Sequence, residues 1–215
     1  MMEPLSAFKA SAPTLLVLSA PSGAGKSTLC QGVLDLNPGF RRAVTCTTRA
    51  ARPGEKEGVD YYFLDRATFL AKVEQEEFIE FADVFGHLYG TLKCTVLGNL
   101  LAKRDLVLNI DIQGAASVRS LAETDQVIAQ SLVTVFVTPP SRAELKSRLT
   151  GRGSDEMAVI ETRLTKAKEE VLHWTGFDYL IVSGSKEQDL DRLQAIVTAE
   201  KMRTNRLHFR FDERL

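Results

Sequence analysis

A lysine followed by two hydroxyl residues, at the end of a glycine-bearing turn, is chemistry aimed at phosphate. The run is Ala20-Pro21-Ser22-Gly23-Ala24-Gly25-Lys26-Ser27-Thr28. It follows the apolar stretch Leu15-Leu16-Val17-Leu18 and precedes a helical pattern, the strand–loop–helix setting that a Walker A loop requires. Gly23 and Gly25 let backbone N–H groups turn inward around phosphate oxygens, and the start of the following helix adds partial positive charge. Lys26 is placed to reach the β- and γ-phosphates of a nucleoside triphosphate, and the Ser27 hydroxyl is a candidate ligand for the Mg²⁺ bound with it. Ala20 stands where the strict motif has its first glycine, at the loop entrance rather than in the cradle. A plain strand-to-helix turn with a surface lysine is the competing reading, and the number of matching positions in the required setting counts against it.

A triphosphate site does not by itself name a reaction. A second group of residues lies in Thr45-Cys46-Thr47-Thr48-Arg49-Ala50-Ala51-Arg52-Pro53-Gly54-Glu55, followed by Gly58-Val59-Asp60-Tyr61. Arg49 and Arg52, beside hydroxyl residues and a turn, suit a compact dianion such as a monophosphate, with Tyr61 and Tyr89 as further donors. Glu80, in Phe78-Ile79-Glu80-Phe81, is a carboxylate flanked by apolar residues. Taken singly, the two arginines read better as solvated loop charges, and Glu80 as the exposed face of an edge strand. The three histidines add little: His87 reads as a strand or turn residue, His173 ends a helix and His208 lies in the tail. The sequence offers no metal-ligand cluster, no Ser-His-Asp arrangement and no basic stripe suited to nucleic acid.

Positioning such groups takes a rigid frame. Short apolar runs at 14–19, 106–111, 132–138 and 179–183, with a more polar candidate at 42–46, read as buried parallel strands. Helical spacing of apolar residues recurs over 28–36, 140–149, 156–174 and 186–203. This alternation predicts an open, mostly parallel sheet covered on both faces. From about Thr47 to Thr91 the rhythm breaks into turns, aromatic and β-branched residues, read as an inserted lobe of antiparallel strands with one short helix at 66–73. Gly151-Arg152-Gly153-Ser154-Asp155 reads as a loop able to move between two helices, and no role is evident for the tail from Met202.

A length of 215 residues suits one α/β domain with a small inserted lobe. The net charge of −1 offers no general attraction to nucleic acid or to an anionic membrane. No run approaches the roughly 20 apolar residues that span a bilayer, and residues 1–13 lack the apolar core of a secretory signal. Cys30, Cys46 and Cys94 show no C-x-x-C spacing and read as free thiols of a reducing compartment. The expectation is a cytoplasmic protein.

Together these residues strongly resemble the guanylate kinases, from Leu15 to about Arg203, in order and spacing. The strongest parts are 19–29, 45–62, 77–91, 109–114, 139–153 and Arg163-Leu164. The resemblance implies an α/β fold of the P-loop nucleoside monophosphate kinase type: an open parallel sheet core, an inserted GMP-binding lobe and a lid. It implies a single domain over 14–203, with core 14–46, 92–139 and 174–203, lobe 47–91, lid 140–173, and terminal extensions 1–13 and 204–215. It implies transfer of the γ-phosphoryl group of ATP, bound with Mg²⁺, to GMP and dGMP, giving GDP and ADP in purine nucleotide metabolism; a homo-oligomer is left open.

By the same resemblance, residues 20–28 hold ATP, while Arg49, Arg52, Tyr61 and Tyr89 bind the GMP phosphate. Thr45, Glu80, Thr91 and Asp111 surround the guanine. Lys26, Arg49 and the lid arginines Arg148, Arg152 and Arg163 stabilise the transferring phosphoryl group. Guanine presents N1–H and a 2-amino group, two donors that match one carboxylate, whereas adenine presents an acceptor at N1; Glu80 would select between them. Asn109 stands where many relatives carry aspartate, and Val182-Ser183-Gly184-Ser185 where the family has Val-Asn-Asp. A non-catalytic guanylate-kinase-like module that holds phosphopeptides is the alternative, against which the intact loop and the lid arginines weigh. Glu80 and Asp111 weigh against a kinase for some other acceptor.

Overall fold

The computed structural model describes residues 8–10, 12–21, 24–84, 86–151 and 157–209. The chain begins with β1 (Phe8–Ala10), β2 (Leu15–Ser19), α1 (Lys26–Leu36) and β3 (Phe40–Arg42). Next come β4 (Thr45–Thr47), β5 (Tyr61–Phe63), α2 (Arg66–Glu74), β6 (Phe78–Val84) and β7 (His87–Leu92). They are followed by α3 (Lys93–Leu101), β8 (Asp105–Asn109), α4 (Ile112–Ala122), α5 (Gln126–Ser131) and β9 (Leu132–Thr138). The last elements are α6 (Arg142–Thr150), α7 (Met157–Val171), β10 (Tyr179–Val182), α8 (Lys186–Lys201) and β11 (Leu207–Phe209).

Strand β2 is apolar on both alternating faces, and every one of its residues is buried, which a strand covered on both sides requires. It is the middle strand of a five-stranded parallel sheet ordered β10-β9-β2-β8-β3. Leu16 and Leu18 pack with Leu29 and Val33 of α1 and Leu193 and Val197 of α8. Leu15 and Val17 face the other way, among Val96, Leu100, Ala115, Val118 and Ile128 of α3, α4 and α5. The chain therefore leaves β2 for one face and β8 for the other, and the neighbouring carboxyl ends of these two strands open a crevice where ligands bind in such sheets.

A second, four-stranded sheet runs β5-β4-β7-β6. β4 and β5 pair in parallel, and the other pairs are antiparallel. Its own small core is Cys46, Phe69, Phe78 and Leu88, with Phe69 and Phe78 stacked at 4.4 Å. Helices α6 and α7 share a further apolar cluster of Leu145, Leu149, Ile160, Leu164 and Ala167.

The expected strand at 42–46 is instead two strands in two sheets. Phe40–Arg42 extends the large sheet beside β8, and Thr45–Thr47 enters the small one; Ala43 makes the last bond to the large sheet, N–H to Val107 O at 3.2 Å. Helices α3, α4 and α5 have no counterpart among the helical patterns of the sequence. Their spacing is short and interrupted by Gly98 and Gly114, and the usable signals were the caps, Asp111 accepting from Gly114 N and Asp125 from Val127 and Ile128 N. The tail, given no role from sequence, pairs β11 antiparallel with β1. Arg206, just before it, is 3% exposed and donates to Ser131 O at 3.1 Å and Leu132 O at 2.9 Å. Glu200, itself buried, lies 3.3 Å from its Nε.

Candidate active site

On the triphosphate side, β2 delivers the chain directly into the loop. Ser22 and Gly23 lie outside the described residues; Ala20, Pro21 and Ala24 are buried. Gly25 has φ +98° and occupies the N-cap of α1, a backbone region that an L side chain enters only with strain. No side chain caps this helix, so a phosphate can take that place. Lys26 Nζ donates to Ala20 O at 2.5 Å, folding the lysine back over the loop. Ser27 and Thr28 are exposed on the first turn, and Asn109 Nδ2 donates to Ser27 Oγ at 3.2 Å.

Beside this loop is a cavity of about 200 Å³ walled by Gly25, Thr28, Arg148, Ser183, Lys186 and Asp189, among others. Arg148 reaches it from α6, donating to Ser183 Oγ at 2.8 Å and Gly184 O at 3.3 Å and pairing with Glu144 at 2.8 Å. Ser183 in turn donates to Asp189. Arg163 is half-buried on α7 and lines neither this cavity nor the next; Arg152 lies outside the described residues.

A second cavity, of about 280 Å³, runs from Lys26 across the ends of β2 and β8 to the small sheet. Thr45, Tyr61, Glu80, Tyr89 and Asp111, all singled out from sequence, line it together with Arg42 and Asn109. How Glu80 comes to point here is a matter of register. The β6–β7 ladder shifts between Phe78 and Glu80, a bulge that re-aims side chains. Three successive buried residues then face three places: Phe78 the small-sheet core, Ile79 the large core, and Glu80 the cavity.

Glu80 is 5% exposed, and Thr91 Oγ1 donates to its Oε1 at 2.6 Å. Burial pushes its carboxyl up to about 7; Thr91 opposes the rise and the nearby Asp111 adds to it. Gly114 explains why the carboxylate fits: a Cβ there would lie 2.6 Å from Glu80 Oε2. Asp111 is divided between two tasks, since it lines the cavity and also caps α4.

Arg49 is held by Glu55 through two contacts, at 2.8 and 2.9 Å. Its guanidinium lies 5.4 Å from the Tyr61 ring centroid, and Tyr61 meets Tyr89 edge-on at 6.0 Å. The pairing with Glu55 raises the Arg49 pKa further. Arg52 is exposed and outside the cavity wall; its backbone N–H donates to Glu55 at 2.8 Å. The hydroxyls beside Arg49 hold backbone instead of ligand: Thr47 Oγ1 accepts from Arg49 N and Thr48 Oγ1 from Leu88 N. His87 is exposed at the start of β7. Arg42, Glu55 and Gly114 also shape the site without standing out in the sequence. Only Gly114 left a local signal, as the glycine three residues after a capping aspartate.

A parallel sheet whose middle strand feeds a phosphate loop, facing a small sheet that carries a buried carboxylate, defines a P-loop protein with two ligand sites. A family model described as "Guanylate kinase" matches residues 12–200. The guanylate kinase of Cereibacter sphaeroides is 42% identical over 89% of this chain and 89% of its own length. That of Alcanivorax borkumensis is 44% identical over 90% of each chain. The crystal structure of guanylate kinase from Anaplasma phagocytophilum superposes with a TM-score of 0.71 at 35% identity, covering 94% of this chain and 93% of that one. The chain belongs to the guanylate kinase family. Among the described residues, no helix is long and apolar enough to cross a membrane, and the cysteines are free thiols.

Proposed function

We propose that this protein transfers the γ-phosphoryl group of ATP to GMP, and to dGMP, giving ADP and GDP. The observation that carries the acceptor assignment is Glu80, a buried carboxylate fixed by Thr91 in the same cavity as Lys26. As a carboxylate it accepts from guanine N1–H and the 2-amino group; AMP would leave it facing a nitrogen lone pair. Thr45 and Asp111 complete the base end, and Arg49, Tyr61 and Tyr89 take the phosphate. Neither Arg49 nor the exposed Arg52 is on the cavity wall, so both would turn inward to join the tyrosines. ATP enters on the other side of Lys26, with its phosphates at the loop of residues 20–28 and its base in the Arg148–Ser183 cavity.

An oxygen of the GMP phosphate attacks the γ-phosphorus in line, forming one O–P bond as the bond to the β-phosphate oxygen breaks and ADP departs. That oxygen is already ionised at neutral pH, so no general base is required. What the protein contributes is alignment and positive charge around the transferring group. Lys26 and Arg148 supply charge from the core and from α6. Arg152 and Arg163 join them when residues 140–173 close as a lid over the lobe of residues 47–91, a closure that also keeps water from acting as acceptor. Mg²⁺ fits the exposed Ser27 hydroxyl, a hard oxygen ligand on the first turn of α1, with phosphate and water oxygens supplying the rest; Asn109, which donates through its amide nitrogen to Ser27 Oγ, would orient that hydroxyl. When bound, the ion neutralises phosphate charge.

A coupled ADP-release assay with GMP, dGMP, AMP, UMP and no acceptor tests the reading. Turnover that depends on GMP or dGMP, with little on AMP or UMP, is the expected pattern. Folded protein showing no GMP-dependent turnover would exclude the enzymatic function.

A further inference from the structure

A monophosphate brings two negative charges into a cavity, and the cations assigned from sequence fall short of meeting them. Arg49 arrives already paired to Glu55 through both carboxylate oxygens, so the two together add almost no net charge. Arg52 is not on the cavity wall. Lys26 belongs to the triphosphate loop and folds onto Ala20 O.

Arg42 is on the cavity wall, where Arg49 and Arg52 are not, and it stands beside Tyr61 instead of at the triphosphate loop. It is the last residue of β3, at the point where the chain passes from the large sheet to the small one, and it lines the cavity. Its guanidinium lies 5.9 Å from the Tyr61 ring centroid, and Arg49 lies 5.4 Å from that same ring. The two arginines thus both approach the tyrosine that serves the phosphate. The hydrogen bond Arg42 makes is long, 3.4 Å to the Asp60 carbonyl, beyond the range of a strong N–H···O contact. Among the described residues no carboxylate lies within ion-pair distance of it. A side chain so lightly held turns toward an anion at little cost, and its planar fork suits phosphate oxygens.

We infer that Arg42 is a further acceptor-binding residue, a cation that engages the phosphate of the nucleoside monophosphate beside Tyr61 and supplies charge that Glu55 takes from Arg49. The inference rests on the proposed acceptor site and names its phosphate ligand more completely.

The test compares wild type with Arg42→Gln and Arg42→Lys, measuring KM and kcat for GMP and for ATP at several salt concentrations. Direct binding of GMP and of guanosine, which has the base and sugar without the phosphate, completes it. Arg42→Gln is expected to raise KM for GMP about tenfold, to leave KM for ATP within about twofold, and to flatten the salt dependence of GMP binding. Arg42→Lys should recover most of the loss, and guanosine should bind the two variants and wild type alike. Because Arg42 is exposed, the melting temperature should stay put. An unchanged GMP KM and salt slope in Arg42→Gln, with wild type turning GMP over normally, overturns the assignment of Arg42 alone. Equal weakening of guanosine and GMP also overturns it, since Arg42 would then act through pocket shape. A wild-type protein inert toward GMP removes the acceptor site and this inference with it.

Discussion

On the proposed reading, Glu80 couples specificity to pH. Its neutral form is favoured by burial, with a pKa of about 7, whereas the proposed pairing with guanine requires the ionised form. Affinity for GMP should therefore rise as pH increases through 7. The phosphate of a nucleotide titrates nearby, at about pH 6, so the step belonging to Glu80 is the part that Glu80→Gln abolishes in a binding titration from pH 6 to 8. The same variant should raise KM for GMP by about 30- to 100-fold, the scale of a lost charge-assisted hydrogen bond in a buried site, with KM for ATP nearly unmoved. Stability responds with the opposite preference. A carboxyl whose folded pKa lies above its unfolded value of 4.5 stabilises the fold below that value, and this contribution is lost as pH rises through about 7. Glu80→Gln, always neutral, should melt above wild type at pH 8, and the gap should close by pH 4.5. At the other end of the cavity, Lys26→Ala should lower kcat by about 10²–10³-fold, measured by ADP release; near-normal turnover would mean that Lys26 does not serve the phosphates.

At the scale of elements, the Glu80 end of the cavity depends on a strand and a helix meeting closely. The bulge in β6 turns Glu80 into the cavity, and α4 comes in against it with a glycine at the contact. Gly114→Ala should act as a Glu80 variant without touching Glu80. The added methyl would lie 2.6 Å from one carboxylate oxygen and 3.4 Å from Asp111 Oδ1, so the acid must shift. KM for GMP is expected to rise about tenfold while KM for ATP holds. The melting temperature should change little, because alanine favours the helix by about 1 kcal/mol over glycine. Steady-state kinetics and a melt on one preparation decide it, and an unaltered KM for GMP would show that Glu80 has room to spare. On the donor side, Arg148 bridges α6 to the loop that precedes α8. An arginine proposed for catalysis thus also ties α6 to the core.

Across the whole molecule, the turn between α8 and β11 is held by a buried ionic network. Arg206 and Glu200 are 3% and 1% exposed, and Tyr179 donates to Glu200 at 2.5 Å. Removing Arg206 leaves the buried Glu200 to Tyr179 and to the more exposed Arg203, 3.3 Å away, and leaves backbone carbonyls without their donor, at a cost of about 3 kcal/mol. For a chain of this size, Arg206→Ala should lower the melting temperature by roughly 10 °C, with KM for GMP and ATP unchanged well below the transition. Replacing both partners by methionine should recover part of the loss, since no unpaired charge remains. Thermal denaturation of the single and double variants checks both statements.

Much of this architecture was written locally. The apolar alternation in residues 15–18 specifies a strand buried on both faces, and the residues that follow specify a phosphate cradle, because such a cradle is made by contiguous backbone whose turns depend on neighbouring residue types. The small-sheet core and the helices at 112–122 and 126–131 were harder to read, since their apolar residues are few and their caps are single aspartates. What only the tertiary structure decided is the electrostatics. Glu80 lies 11 residues from Thr91 and Arg148 lies 35 from Ser183, while Arg42 reaches the cavity from an edge strand of the other sheet. Whether a carboxylate is desolvated, or an arginine is already neutralised by a partner, depends on groups brought together through space. No spacing along the chain encodes it.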